Sequence, residues 1–373
     1  MENVTQKGVL DNVEFVPKHF RILNSVILIT ITLVGIFGNT LIFIAYCLSR
    51  RLRTKTNIFV INLAVADILT CVCLPVVAFS LLVDVNVDTR SWLDTVCGID
   101  FGATQIFVCS SFLTLAFIAV NRYVLITKSQ ETYKWLYQRK FILIFISISW
   151  LYPTLFVTLP LLFDIGYIGY DENMHACGAL TDHPRSYLYD MIIVSNGTLP
   201  IAMIVYSYGQ IYLFLKRHNK QMQEGRVSGT SSKLFRYVPN VLRSVRNAEK
   251  MNEGGVSRNQ VDITKNLFYI LVSFFICLTP HMISEVLDAH YLVISYTKLI
   301  ITFNSCVNPI LYGIKHPYFR QVFYSILSRR WDEIPEPAFR WMNSGSSFSA
   351  VTVSRSRDLD STSMAVSWKI DTM

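Results

Sequence analysis

Two charged side chains stand where an apolar chain should not hold them. Asp67 closes the run Leu63-Ala64-Val65-Ala66-Asp67 inside a long hydrophobic stretch. A carboxylate at membrane depth is expensive, so such a group is a functional candidate by default. It can gather a cation, or it can be a protonated acid hydrogen-bonded to Asn39 in the preceding stretch. Arg122, in Asn121-Arg122-Tyr123, ends the apolar run that begins at Cys97. That run makes a helix of about 39 Å, enough to cross a bilayer with tilt. Its cysteine end can be tied covalently in an oxidising space, and its arginine end offers a guanidinium at the opposite face. A third group, His281, Glu285 and Asp288, is spaced i, i+4 and i+7 and so shares one helical face. Nothing points to catalysis: there is no GxxxxGK[ST], no HExxH, and the seven histidines are scattered. The expectation is that the chain is not an enzyme.

The elements that would position these groups are long apolar helices. The chain is 52% hydrophobic and only 16% charged, with mean hydropathy +0.38, whereas a soluble domain carries about 25% charge. Apolar runs recur near 23–48, 58–83, 101–121, 141–163, 191–215, 266–284 and 293–314, each close to the ~20 residues that span a bilayer. The last is the shortest. Backbone amides in hydrocarbon must be satisfied internally, which makes these helices of one bundle. The expected fold class is an all-α membrane protein, a seven-transmembrane helix bundle with a short membrane-surface helix after the seventh helix.

The net charge of +8 could mean nucleic acid, but its distribution excludes that partner. Arg50, Arg51, Arg53 and Lys55, then Lys128, Lys134, Arg139 and Lys140, then Lys216 through Lys265, then Arg320, Arg329 and Arg330 crowd alternate loops. The intervening loops carry Asp84, Asp88 and Asp94, then Asp164, Asp171, Glu172 and Asp182. Positive charge stays on the cytoplasmic side, which predicts an extracellular N-terminus and a cytoplasmic C-terminus in a multi-pass plasma-membrane protein. Asn3 lies in an Asn-Val-Thr glycosylation sequon on that outer side. A second match, at Asn196, falls within the fifth helix. No removable signal peptide is expected, so the first helix directs insertion.

Gly38-Asn39 in the first helix, Leu63 to Asp67 in the second, Cys97 and Asn121-Arg122-Tyr123 in the third and Trp150 in the fourth form an ordered series. Pro200 with Tyr208 in the fifth, Pro280 in the sixth and Asn308-Pro309-Ile310-Leu311-Tyr312 in the seventh complete it. In order and spacing, over roughly 23–328, this series resembles the rhodopsin-like (class A) G-protein-coupled receptors. The Asn-Arg-Tyr form, Val124-Leu125-Ile126-Thr127 and the outer loop Gly166-Tyr167-Ile168-Gly169-Tyr170-Asp171-Glu172 look like the moody and trapped-in-endoderm group, itself similar to melatonin receptors. Melatonin receptors replace the proline of the seventh-helix motif, so melatonin as ligand is not carried over.

The resemblance implies a ligand-activated receptor that signals to heterotrimeric G proteins, of the inhibitory class if the similar receptors are a guide. Asn121, Arg122, Tyr123, Tyr208, Pro280, Asn308, Pro309 and Tyr312 match the coupling and activation positions. Asn39, Asp67, Ser111, Asn304, Ser305 and Asn308 match the oxygens that surround an allosteric sodium ion, a hard cation suited to such donors; no other cofactor or metal is expected. A polar packing network without an ion is the other reading of that set. Cys97 and Cys177 alone fall at outer positions, where a disulfide can form. Cys47, Cys71, Cys73, Cys109, Cys277 and Cys306 read as small packing residues.

Three departures from the family pattern matter. Asn121 replaces the usual Asp before the arginine, and Gln260 the acid at the base of the sixth helix, with Asp262 two residues on. A neutral neighbour holds a guanidinium less tightly than a charge-assisted bond does, so basal signalling is expected. Leu278 stands where the family has Trp, which moves the aromatic switch to Phe274 or removes it.

On the outer side, Asp100, Thr104, Gln105, His281, Glu285 and Lys298 would line the ligand cavity; alternatively Glu285 and Asp288 only mark a helix end in the headgroups. Thr104 stands where amine receptors carry Asp, which disfavours a catecholamine-type ligand. Thr302 stands where opsins carry the retinal lysine, which disfavours an opsin. The chain then divides into an outer segment 1–22, a bundle 23–315 with a long inner loop 217–261, a surface helix 316–328 and a cytoplasmic tail 329–373. Inside the loop, Leu234, Phe235, Val238, Val241, Leu242 and Val245 follow helical spacing among basic residues, interrupted by Pro239. The tail holds Ser344, Ser346, Ser347, Ser349, Thr352, Ser354, Ser356, Ser361, Thr362 and Ser363, acceptors for receptor kinases and then docking charge for arrestin. A seven-helix transporter or channel, or a receptor-shaped protein that does not signal, are the competing readings. The transporter reading would want repeats and broken helices.

Overall fold

The computed structural model describes residues 16–83, 87–172, 175–180, 182–228, 258–287 and 290–339. Helix α1 is Lys18–Leu48, α2 Lys55–Ser80, α3 Val87–Thr127, α4 Gln130–Leu136 and α5 Arg139–Leu162. The hairpin β1 Tyr167–Asp171 and β2 Ala176–Leu180 follows, then α6 Ser186–Ser195, α7 Thr198–Ser228, α8 Arg258–Val286, α9 Tyr291–Lys315 and α10 Pro317–Leu327. Among the described residues six segments are long and apolar enough to cross a membrane, α6 and α7 forming one of them. The seventh crossing, α9, is long enough but carries Lys298, Thr302, Asn304, Ser305 and Asn308.

Lipid-facing side chains account for the exposed apolar residues of every span. Leu33 and Phe37 on α1, Leu151 on α5 and Ile276 on α8 are all more than half exposed, as a surface solvated by hydrocarbon permits. The buried side is a continuous cluster that includes Leu63, Phe112, Leu113, Ala116, Phe274, Leu278 and Tyr312. α3 is the central rod: it packs on α2, α5, α7 and the β-hairpin. Small residues set the closest approaches. A Cβ on Gly38 would lie 2.6 Å from Cγ of Pro309, so only glycine lets α1 reach the proline of α9.

Local sequence explains where the helices stop. Thr54 accepts a hydrogen bond from the Asn57 amide and starts α2, and Ser129 does the same for α4 from Thr132. The Asn196-Gly197 pair breaks the fifth crossing between α6 and α7; Pro75, Pro153, Pro160, Pro280 and Pro309 lie inside their helices. On the inner face, α7 runs to Ser228 and α8 starts at Arg258, so both helices extend into the segment read from sequence as loop. The amphipathic stretch 234–245, Asn3, Asp288 and the serine-rich tail lie outside the described residues.

The chain after α10 folds back rather than leaving the bundle. Arg329 takes φ 56°, and the Arg330 amide donates to the Ser325 carbonyl at 2.8 Å, which closes the helix as left-handed C-terminal motifs do. Ile334 is then buried in the core cluster. The Arg50 amide donates to Glu336 O (2.9 Å), the Ala338 amide to Leu48 O (2.8 Å), and Ser49 Oγ to Pro335 O (2.6 Å). Residues 331–339 thus pair with the inner end of α1, while Arg51 lies 4.1 Å over the ring of Tyr318 on α10. This strap does for α10 what a lipid anchor would: it fixes the surface helix to α1. Ile334→Asp should free it, raising hydrogen exchange at the Arg50 and Ala338 amides roughly 100-fold, the factor that ~3 kcal/mol of lost burial implies. Unchanged protection at both amides would show that the strap does not depend on Ile334.

Candidate functional site

The polar side chains of the bundle collect at three depths. In the middle, the fully buried Asp67 carboxylate joins three helices. Its Oδ1 accepts from Ser111 Oγ on α3 at 3.0 Å, and its Oδ2 accepts from Asn308 Nδ2 on α9 at 2.7 Å. Asn39 on α1 donates to Ser305 O on the same helix as Asn308, at 2.9 Å. The side-chain oxygens of Asn39, Asn304 and Asn308 are buried without a hydrogen-bond partner. One carboxylate, one hydroxyl and several amide oxygens are the donor chemistry a hard monovalent cation takes. Among the described residues no group of three or more His, Cys, Asp or Glu side chains gathers as a metal site. All six sequence-predicted residues of this set lie on α1, α2, α3 and α9 at this level.

A second network, which the sequence reading missed, braces α3 from the other side. Asn62 Nδ2 donates to Thr114 Oγ1 (2.7 Å) and Ser149 Oγ (3.1 Å), and Asn62 Oδ1 accepts from Trp150 Nε1 at 3.0 Å. Trp150 was visible as a motif residue; its partner was an unremarkable Asn five positions before Asp67.

At the inner end, Arg122 is only 5% exposed and interacts electrostatically with Tyr208, Tyr133 and Tyr312. The hydroxyls of Tyr208 and Tyr312 are buried and have no hydrogen-bond partner. Asn121, next to it, is turned away: its Oδ1 accepts from Thr56 Oγ1 on α2 at 2.6 Å, with the buried Tyr137 beside it. Asn121 therefore does not hold the guanidinium at all. Tyr123 also points elsewhere, packing edge-on against Tyr206 (5.8 Å, 74°) beneath Lys128. The side chains of Gln260 and Asp262 lie outside those described. His316, at the junction of α9 and α10, is buried near Arg122, and burial with that positive charge holds its imidazole down to about 4. It is neutral at physiological pH, and its Nδ1 accepts from the Phe319 amide at 3.4 Å, capping α10.

Between the middle and the outer level, Leu278 is buried in the place read from sequence as lacking tryptophan. Phe274, one turn inward, packs edge-on against Phe112 of α3 with centroids 4.4 Å apart. The aromatic contact between α3 and α8 is thus made by Phe274, below the Pro280 kink.

The outer level is framed by the hairpin. Cys97 and Cys177 form a disulfide, Tyr170 pairs with Cys177 across the hairpin, and the Tyr170 amide donates to Asp94 Oδ1 at 2.8 Å. A Cβ on Gly169 would collide with that carboxylate, which accounts for the glycine in the loop motif. Below the hairpin, His281 Nδ1 lies 3.4 Å from Thr297 Oγ1 on α9, and its Nε2 lies 3.8 Å from Glu285 Oε1. Lys298 acts on His281 and on Asp190 of α6, which also feels Glu285. Asp100 and Thr104 stand on α3 beside Cys73 of α2; Gln105 follows on the same helix. Asp190 was missed because the apolar run was started at 191, one residue too late to count it as an acid inside the membrane.

Comparison with known proteins supplies the context for this arrangement. The seven-transmembrane receptor (rhodopsin family) profile matches residues 38–312. The G-protein coupled receptor moody of Drosophila melanogaster is 25% identical over 338 residues, covering 80% of this chain and 50% of that protein. Melatonin receptor type 1B-B of Danio rerio is 26% identical over 325 residues, covering 83% and 82%. The chain thus spans half the length of the moody receptor and most of the melatonin receptor. Among solved structures, squid rhodopsin superposes with TM-score 0.67 at 17% identity, covering 88% of this chain and 91% of that one, a likeness of fold.

Proposed function

The chain belongs to the rhodopsin family of seven-transmembrane receptors, and from that premise we propose that it is a plasma-membrane receptor passing an extracellular signal to heterotrimeric G proteins of the inhibitory class. In this reading the N-terminus is extracellular and the C-terminus cytoplasmic, which the alternation of loop charges supports. The choice of the inhibitory class rests on the resemblance to the moody and melatonin-receptor group. The ligand enters the outer cavity, where Asp100, Thr104, Gln105, His281, Glu285 and Lys298 meet it. The observation that carries the coupling half is the inner cluster: a buried guanidinium, Arg122, beside two tyrosine hydroxyls that lack partners. In an opened bundle those hydroxyls, from Tyr208 and Tyr312, swing over Arg122 while Pro280 gives the hinge for the inner half of α8. Agonist works by binding the open form more tightly and shifting the population toward it.

Asn121 is the residue that sets the resting state in this reading. With its carbonyl committed to Thr56, it does not offer Arg122 the charge-assisted bond that an Asp at this position would, and on that ground the unliganded receptor signals. A G-protein dissociation panel in cells expressing the chain, without ligand, should register activation of inhibitory-class G proteins, and Asn121→Asp should lower that basal signal severalfold by adding a charge-assisted bond. Silence across the panel in both forms would remove the coupling proposal.

Sodium belongs to the same proposal. An ion held by Asp67 and Ser111 with amide oxygens of Asn39, Asn304 and Asn308 and the Ser305 hydroxyl would stabilise the closed bundle, because opening pulls α9 away from α2 and α3. The basal signal of the wild type should fall as external-side sodium rises at constant ionic strength, and Asp67→Ala should abolish that dependence. A sodium response that survives Asp67→Ala would place the ion elsewhere. Receptor kinases acting on the serine-rich tail, arrestin binding to the phosphorylated product, membrane lipid under α10 and a glycan on Asn3 complete the proposed partners and modifications.

A further inference from the structure

Asp100 is a buried acid whose partner within the chain is the thiol of Cys73. It is 94% removed from solvent, being 6% exposed, and its Oδ2 is buried without a hydrogen-bond partner. Thr104, i+4 on α3 and therefore on the same face, has a buried Oγ1 that is likewise unpartnered. The third side chain present is Cys73 of α2, whose thiol lies against both. No cation stands beside Asp100 among the described residues: the Lys298 ammonium acts instead on Asp190 and His281. A buried carboxylate met only by a weak thiol donor is poorly compensated, whereas one that meets a cation with good geometry recovers much of the cost of burial. The depth is right for a partner arriving from outside. Asp100 lies one turn inward of Cys97, which the hairpin pins at the outer mouth, and Cys73 lies seven residues from the outer end of α2 at Ser80, or about 10 Å.

Resting on the receptor reading above, we propose that Asp100, Thr104 and Cys73 form the subsite that receives the protonated amine or guanidinium of the extracellular ligand. The carboxylate supplies the charge, the Thr104 hydroxyl accepts or donates one further hydrogen bond, and the thiol gives the pocket a polarizable wall on the α2 side. The ligand is therefore cationic at one end. The other end faces Glu285, Asp190, Lys298 and His281, a cluster with both signs of charge, so the far end of the ligand is polar as well. A neutral apolar ligand would leave Asp100 poorly compensated.

Cys73 is a natural reporter, because a thiol-directed reagent must enter the subsite to reach it. Intact cells expressing the full chain are treated with 2-aminoethyl methanethiosulfonate, a cation, or 2-sulfonatoethyl methanethiosulfonate, an anion of similar size. Modification of Cys73 is followed by mass spectrometry and normalised to each reagent's rate with a free thiol. The cationic reagent should react at least about tenfold faster, as a site of one sign of charge dictates. Asp100→Asn should bring the two rates together, and Asp100→Glu should keep them apart. The unmutated chain gives a second measure: ethylguanidinium should slow the cationic reagent and neutral ethylurea at the same concentration should not. Equal rates for the two reagents, a rate ratio indifferent to Asp100→Asn, no modification by either reagent, or equal protection by ethylurea would each overturn the subsite. No step involves a G protein, so such a failure would leave the coupling proposal standing, and a silent coupling panel would not decide this one.

Discussion

Everything in this bundle answers to one constraint: a polar atom at membrane depth has no water to turn to, so it must find a partner on another helix. Asp67 is where that demand is heaviest, and it is met by Ser111 and Asn308 on two other helices. The consequence is mechanical. A single carboxylate ties α2 to α3 and α9, and Asn39 ties α1 to α9 through Ser305 O. Asn62 and Trp150 tie α2 to α5. Apolar packing in lipid gives little preference for one helix arrangement over another, since lipid tails are as apolar as leucine; these polar ties supply the preference.

The same constraint separates the ends of the molecule from its middle. At mid-depth the unpaired atoms include the amide oxygens of Asn39, Asn304 and Asn308 around a carboxylate, and the Ser110 hydroxyl. At the inner end they include the hydroxyls of Tyr208 and Tyr312, and at the outer end Asp100 Oδ2 and Thr104 Oγ1. Unmet hydrogen-bonding capacity at both mouths, joined by a braced middle, is consistent with the proposed receptor reading. The fold-back of residues 331–339 belongs with the brace, since it ties α10 and the inner end of α1 into one unit beside the inner mouth.

Much of this was legible from residue types alone. Seven apolar runs, alternate basic loops and the motif series gave the bundle, the order of its helices and the Cys97–Cys177 pairing. Asp67 could be singled out because a carboxylate in a hydrocarbon run is expensive and so is a functional candidate by default. Partners were harder to read. Nothing about Asn62, Thr56 or Asp190 marks it in one dimension, because each matters through a neighbour fifty or more residues away, and Asp190 was also lost to a helix boundary. Asn121 shows the limit most clearly: its substitution for an acid was readable, but its turn toward Thr56 was not. The strap was hidden for another reason, since Trp331 to Phe339 has no periodicity and gains its structure only from the end of α1.

The central claim is that the inner cluster around Arg122 opens to engage a G protein. The most direct measurement is guanine-nucleotide release from a purified inhibitory-class heterotrimer, with the purified chain in lipid nanodiscs. The account predicts release faster than the heterotrimer alone, falling to the background rate with Arg122→Ala while the disulfide-bonded bundle remains folded. Release at the background rate with every heterotrimer tried, in the presence or absence of cationic tissue extract, would contradict it.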